Sequence, residues 1–357
     1  MVEALCRLLP DADVFTLFYD PENVSEAIRS HTVKASFLNP LRRHYRSLLP
    51  LFPIALESMD LRGYDLAISS ESGPAKGVLT SADTRHICYC HSPMRYLWDL
   101  YPTYLHDWTR SCWKKAAMAA FGCPLRVWDY STSARVDEFA ANSRNVQKRI
   151  WKAYRRESQV IYPPVAVEIF RWMPPGDSYL MVSELVTYKR AGDAVRCCTR
   201  TGRRLKIVGD GPEYASLKKQ AGPNVEFCGR VSPAELRDLY SRCRALLMPG
   251  EEDFGIVAVE AMASGKPVVA LGRGGVLEAV PPSGGVFYND PGDEALEQAL
   301  TRFEEVESLV RPAELQAWAE RFSEARFRER MLDLIGRGAG ARDTEAPLSR
   351  AQRQVRG

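Results

Sequence analysis

The sequence lacks any run able to cross a membrane. Its longest weakly polar stretch, Ala116 to Leu125, is broken by Gly122 and Pro124 and falls far short of the ~20 residues that span a bilayer. Residues Met1 to Cys6 show no basic segment leading into an apolar core, so no signal peptide is read there. No CxxC pair occurs among the nine cysteines, and an odd set without that spacing favours reduced cytosolic thiols over a disulfide framework. No GxGxxG follows an early strand, which disfavours a dinucleotide oxidoreductase. There is no repeat of solenoid period. Excess charge is scarce as well: 48 Lys/Arg against 45 Asp/Glu leave +3, too little to imply a nucleic-acid partner.

What is present is an ordinary globular composition, 45% hydrophobic and 26% charged, over 357 residues. That length predicts two domains, because single cores stop growing near roughly 250–300 residues. The charge is unevenly placed. Residues 40–160 hold 18 Lys/Arg and 11 Asp/Glu, a surplus of +7 that leaves −4 for the remainder. Within the basic half, cations are interleaved with aromatics at Trp108, Arg110, Trp113, Lys114, Lys115, Phe121, Arg126 and Trp128. Such a segment could lie on an anionic membrane surface. A solvated helix burying its tryptophans is the preferred alternative, since no clean amphipathic stripe forms.

Short apolar runs predict parallel strands covered on both faces at 14–19, 65–69, 86–90 and 138–142, with helical periodicity at 40–59 and 143–155. Residues 162–177 hold four prolines and read as an inter-domain connection. The second half predicts strands at 179–183, 205–208, 225–228, 245–248 and 267–271, each followed by a helical stretch. Several run straight into glycine, as at Gly209-Asp210-Gly211-Pro212 and Gly229. Loops of that kind sit at the carboxyl ends of parallel strands, where such sheets bind ligands.

The most specific segment is Pro249-Gly250-Glu251-Glu252-Asp253-Phe254-Gly255-Ile256-Val257-Ala258-Val259-Glu260. It follows a strand and opens a helix, with seven residues between Glu252 and Glu260. A helix carboxylate facing a cleft can accept both hydroxyls of a ribose. Amides around Phe254, Gly255 and Ile256 at a helix N-terminus suit a diphosphate or sugar oxygen. Taken alone, two glutamates would read as surface acids, but their setting argues for a site.

This segment resembles the EX7E signature of retaining GT-B glycosyltransferases of family four, which transfer sugars from nucleotide-sugar donors. Ser183-Glu184-Leu185-Val186-Thr187-Tyr188-Lys189-Arg190 resembles the family's donor-phosphate loop, Val208 to Glu213 its Gly-x-Gly-Pro turn, and Val225 to Val231 its base-contacting strand end. Tyr89-Cys90-His91-Ser92-Pro93-Met94-Arg95, Ala141-Asn142-Ser143 and Ile161 to Val165 resemble a subgroup rich in mannosyltransferases of bacterial surface-polysaccharide assembly. The resemblance runs to about residue 330. It implies an α/β GT-B fold of two Rossmann-like domains facing a cleft: an acceptor-side domain at 1–165, a linker at 166–178 and a donor domain at 179–318. A C-terminal helix at 319–335 would pack back toward the first domain, ahead of a disordered tail at 336–357.

The site residues implied by the resemblance are Lys189, Gly209, Gly211, Arg230, Val231, Glu252, Phe254, Gly255, Ile256 and Glu260 for the donor, with His91 and Glu252 at the reaction centre. Glu260 would hold the ribose, Glu252 the sugar hydroxyls, and Lys189 the leaving diphosphate. The implied activity moves a hexose, mannose from GDP-mannose being the guess, onto a lipid-linked glycan, from the cytoplasm or the inner face of the plasma membrane. No cofactor and no metal are expected. Asp11-Ala12-Asp13 has metal-binding spacing, yet it lies before the first strand and reads as a cap or turn. Cys88 and Cys90 are expected on opposite faces of their strand. The sequence also departs from the family. No strand and glycine-rich loop precede the first helix, Glu184 stands where many relatives have arginine, and Ala258 replaces a proline. An impaired, nucleotide-sugar-binding remnant is therefore the alternative reading.

Overall fold

The fold is described from a computed structural model, over residues 1–105 and 112–342. Strands β1 (Val14–Thr16) and β2 (Val33–Ala35) pair with each other in parallel. Strands β3 (Leu66–Glu71), β4 (Arg85–Cys90), β5 (Glu138–Ala141) and β6 (Gln159–Val160) form a separate four-stranded parallel sheet in that order. The second half contributes β7 (Ser178–Val182), β8 (Arg204–Val208), β9 (Val225–Gly229), β10 (Leu246–Met248), β11 (Val268–Leu271) and β12 (Gly285–Tyr288). These form one parallel sheet in the order β12-β11-β10-β7-β8-β9. The chain thus winds outward from β7 in one direction, returns at β10, and continues the other way, as a doubly wound sheet does.

Both faces of the second sheet are covered. One carries Val259, Met262 and Tyr240, the other Val195, Cys198 and Leu300. Strands such as Val268–Leu271, buried along their whole length, are for that reason continuous apolar runs in sequence. Local signals set the helix ends. Ser232 and Glu235 make a reciprocal capping box on Pro233–Arg242, and the Ser143 hydroxyl accepts from the Val146 amide (3.0 Å) at the start of Arg144–Tyr154.

Several expectations are corrected. The strand read at 14–19 ends at Thr16. The helix read at 40–59 is a 3-10 segment, Asn39–Leu51, broken at His44, followed by a short α-helix, Phe52–Glu57; Pro40, Pro50 and Pro53 prevent a continuous ladder. Strands β2, β6 and β12 were not anticipated, because each is short or begins in a turn-like Gly-Gly sequence. Cys88 and Cys90 share one face of β4, packed with Val146 and Ile150. Residues two apart on a strand must do so. The Asp11–Asp13 region is a turn in which Asp13 pairs with Lys34 (2.7 Å) and accepts from the Tyr64 hydroxyl.

The proline-rich connection is packed rather than slack. Val165 and Val167 are buried in the second domain's core, and the Val165 amide donates to the Phe322 carbonyl (2.9 Å). The C-terminal helix Glu324–Arg342 returns to the first domain, where Phe327, Met331 and Leu334 pack with Ile87 and Tyr89. It continues beyond residue 335, where a tail had been expected; residues 343–357 of that tail lie outside the described residues. So do Trp108 and Arg110 of the basic aromatic stretch. Trp128, by contrast, is half-buried and donates from Nε1 to Glu57 (3.0 Å).

Candidate functional site

The residues expected to bind the donor leave the carboxyl ends of four adjoining strands. β7 leads to the turn carrying Lys189, β8 to Gly209 and Gly211, β9 to Arg230 and Val231, and β10 to Glu252. Strands β7 and β10 are paired and flank the point where the winding reverses, the crevice such sheets use for ligands. Gly209 is required by contact: at φ +131°, a Cβ there would lie 1.9 Å from the Ser183 carbonyl oxygen. Gly255, at φ +96°, caps the helix Ile256–Ala263 in a left-handed conformation that other residues adopt only with strain.

A cleft of about 690 Å³ opens here, lined by Gly209, Gly211 and Arg230 together with Glu184, Asp210 and Arg46. Arg46 comes from the first domain, so the cleft lies between the two. Glu184 is exposed on the cleft wall, so an anion bound in the cleft would have to sit clear of its carboxylate. Arg46 hydrogen-bonds the Tyr45 hydroxyl (3.1 Å) and senses the Glu184 charge as well.

Lys189 and Glu252 meet directly, the ammonium on Glu252 Oε2. Each thereby neutralises the other, and a bound anion near Lys189 would have to compete with the carboxylate. Glu260 lies on the helix that follows and accepts a hydrogen bond from the Tyr240 hydroxyl (2.7 Å); burial pushes its carboxyl up from the usual range. The Phe254 side chain turns into the core against Tyr162 and Phe322, so what it can present to the cleft is backbone. Ile256 is exposed and Val231 half-buried.

His91 follows β4 in the facing domain. Its Nε2 lies 3.2 Å from the Ser70 hydroxyl, and its amide donates to the Glu71 carbonyl (2.7 Å). Burial lowers its imidazole pKa to about 4, which makes it a neutral ring at physiological pH. Sequence reasoning missed Arg46, and with it Arg95 and Arg149, which reach Glu251 and Asp253 across the domain boundary. Nothing local distinguishes Arg149 from Arg144, Lys148 and Lys152 on the same basic helix.

Two parallel, Rossmann-like domains facing a cleft, with ligand loops at a strand-order reversal, define the GT-B class of α/β protein. The families agree. Residues 1–169 match the family described as "Glycosyltransferase Family 4", and residues 175–321 match "Glycosyl transferases group 1". Each domain thus matches a glycosyltransferase family model over most of its length. It is 30% identical over 168 residues to a GDP-mannose-dependent alpha-mannosyltransferase of Mycobacterium tuberculosis, covering 46% of this chain and 39% of that protein. It is 29% identical over 149 residues to a glycosyltransferase of Methanocaldococcus jannaschii, covering 40% and 42%. These matches span about two fifths of each curated relative. Among solved structures, sucrose-phosphate synthase from Thermosynechococcus elongatus has the same fold, with a TM-score of 0.75 at 18% identity, covering 95% of this chain and 92% of the other. Anabaena HepE in complex with UDP-glucose gives 0.69 at 18%, covering 94% and 96%.

Proposed function

We propose that this chain is a retaining glycosyltransferase that moves a hexose from a nucleotide-sugar donor to a growing, lipid-linked glycan. The observation that carries this reading is the Lys189–Glu252 pair, joining the loops after the paired strands β7 and β10, next to the strand β8 that leads to the Gly209/Gly211 turn. In the proposed reaction the bond from the anomeric carbon to the donor phosphate breaks. The acceptor oxygen bonds that carbon from the same face, and its proton passes to the leaving diphosphate. Lys189 and the amides at Gly255–Ile256 oppose the charge that grows on the leaving group. Glu260 holds the ribose, Glu252 orients the sugar, and neutral His91 contacts the reacting centre from the acceptor side. No protein nucleophile is assigned. We propose no metal requirement, since protein cations and amides supply the leaving-group stabilisation.

Mannose from GDP-mannose is the donor proposed, supported by the similarity of 46% of this chain to the mycobacterial GDP-mannose-dependent alpha-mannosyltransferase. The basic half suits an anionic acceptor at a membrane surface. The test is nucleotide release from a panel of nucleotide sugars with acceptor and EDTA present. Wild type is expected to release nucleotide, and Glu260→Ala to lose at least tenfold in kcat/KM, about 1.4 kcal/mol. A second reading, a chain that binds nucleotide sugar without turnover, draws on the separation of β1 and β2 from the four-stranded sheet. It predicts calorimetric binding with no nucleotide released from any donor.

A further inference from the structure

Three consecutive acids, Glu251, Glu252 and Asp253, occupy the loop after β10. Glu252 forms a parallel bridge with Gly274, and the Gly275 amide donates to the Glu252 carbonyl (2.8 Å), so the loop is extended there. Side chains of an extended segment alternate in direction. Glu252 accordingly faces Lys189 in its own domain, while Glu251 and Asp253 face the other domain. Arg149 Nη2 lies 2.7 Å from Glu251 Oε1, and its Nη1 meets Asp253. Arg95 Nη1 lies 3.3 Å from the same Asp253 carboxylate. Asp99 braces both arginines, 3.2 Å from Arg95 Nε and 3.5 Å from Arg149 Nη2. The Ser143 hydroxyl donates to the Asp253 carbonyl (2.6 Å).

The arginine side chains are only 16% exposed, which separates this cluster from the freely solvated surface pairs that contribute little. It also reaches the segments next to Lys189 and next to His91. The Arg95 guanidinium stands over the ring of Tyr188, next to Lys189, at 5.6 Å. On the acceptor side, Arg149 Nη1 is 3.4 Å from the hydroxyl of Ser92, the residue after His91.

We propose that Arg149 and Arg95 are positioning residues of the transfer reaction: by clamping Glu251 and Asp253 onto the acceptor-side domain they fix Glu252 and Lys189 opposite His91. The inference rests on the transferase reading above. On that reading the second domain holds the nucleoside diphosphate, so neither arginine is expected to be needed for binding it. Their loss loosens the register between domains, and misplacement of reacting groups by about 1 Å can cost on the order of 100-fold in rate.

The test uses the full chain with Arg149→Met, which keeps the aliphatic stem, and Glu251→Gln, which breaks the same contact from the other domain. Three quantities are read: GDP and UDP affinity by calorimetry, kcat and donor KM for nucleotide release, and the radius of gyration by small-angle scattering. Both variants are expected to lower kcat by about tenfold or more, to leave diphosphate affinity within about threefold, and to raise the radius of gyration. Arg149→Lys should recover part of kcat. Unchanged kcat in both variants overturns the proposal. So does a fall in diphosphate affinity parallel to kcat, which would make the arginines donor ligands. If wild type releases no nucleotide from any donor, the transferase reading fails. Scattering then decides the clamp, and unaltered radii in both variants overturn it.

Discussion

Burial acts on single residues first through their protons. His86 and His91 are both pulled by burial to a pKa of about 4, from an ordinary 6.5. Each is neutral in the folded protein, so as pH falls the unfolded chain takes up protons first. Stability is then lost progressively between about pH 6.5 and 4, by up to ~3 kcal/mol per histidine. Urea midpoints at pH 7 and pH 4.5 measure this, and His91→Asn should shrink the difference by removing one share. Glu71 opposes the trend. It is buried beside Lys76 and Asp129 and its carboxyl is pushed up to about 7, so its contribution declines as pH rises from about 4.5 toward 7. A sequence shows that these residues can titrate; which of them are enclosed depends on the packing of β3 and β4.

Elements were legible where one physical cause dominated. Glycine at a strand end followed by a helix start marked the strand-end loops, because close backbone approach excludes a side chain there. Gly209→Ala would push a methyl into the Ser183 carbonyl and separate the loops after β7 and β8. Calorimetry should find nucleoside diphosphate affinity reduced at least tenfold, about 1.4 kcal/mol. Elements shaped by competing causes were read less well. The 39–51 segment has helical spacing of its apolar residues, yet its prolines convert it to 3-10 turns. That conversion places Arg46 in the cleft, and no periodicity argument could have found it. Strand β12, opening at Gly285, looks like a loop until β11 is present to pair with it.

The whole molecule depends on segments that cross between domains. The chain enters the second domain at Val165, returns at Phe322, and then forms a helix on the first domain's sheet. Arg85 donates to the carbonyls of Leu334 (2.8 Å) and Ile335 (2.6 Å), and Arg7 pairs with Glu324 (2.7 Å). Met331 is fully buried in that contact. Met331→Ala should cost about 2–5 kcal/mol of stability, read as a lower urea midpoint. Unfolding of the first domain should be affected with it, since the helix covers Ile87 and Tyr89.

The amino-acid sequence by itself determined the alternation of strand and helix, the placing of loops at strand ends, and the chemistry offered by Lys189, Glu252 and Glu260. Those follow from local causes: apolar runs, glycine geometry and spacing along one segment. Only the tertiary structure decided that Glu252 turns to Lys189 while its neighbours turn to Arg149 and Arg95, that Arg46 and Glu184 share a cleft wall, and that the last helix covers the first sheet. The physical reason is range. An extended backbone fixes that side chains alternate, but which partner each side meets, a hundred or more residues away, depends on how the two domains come to rest against each other.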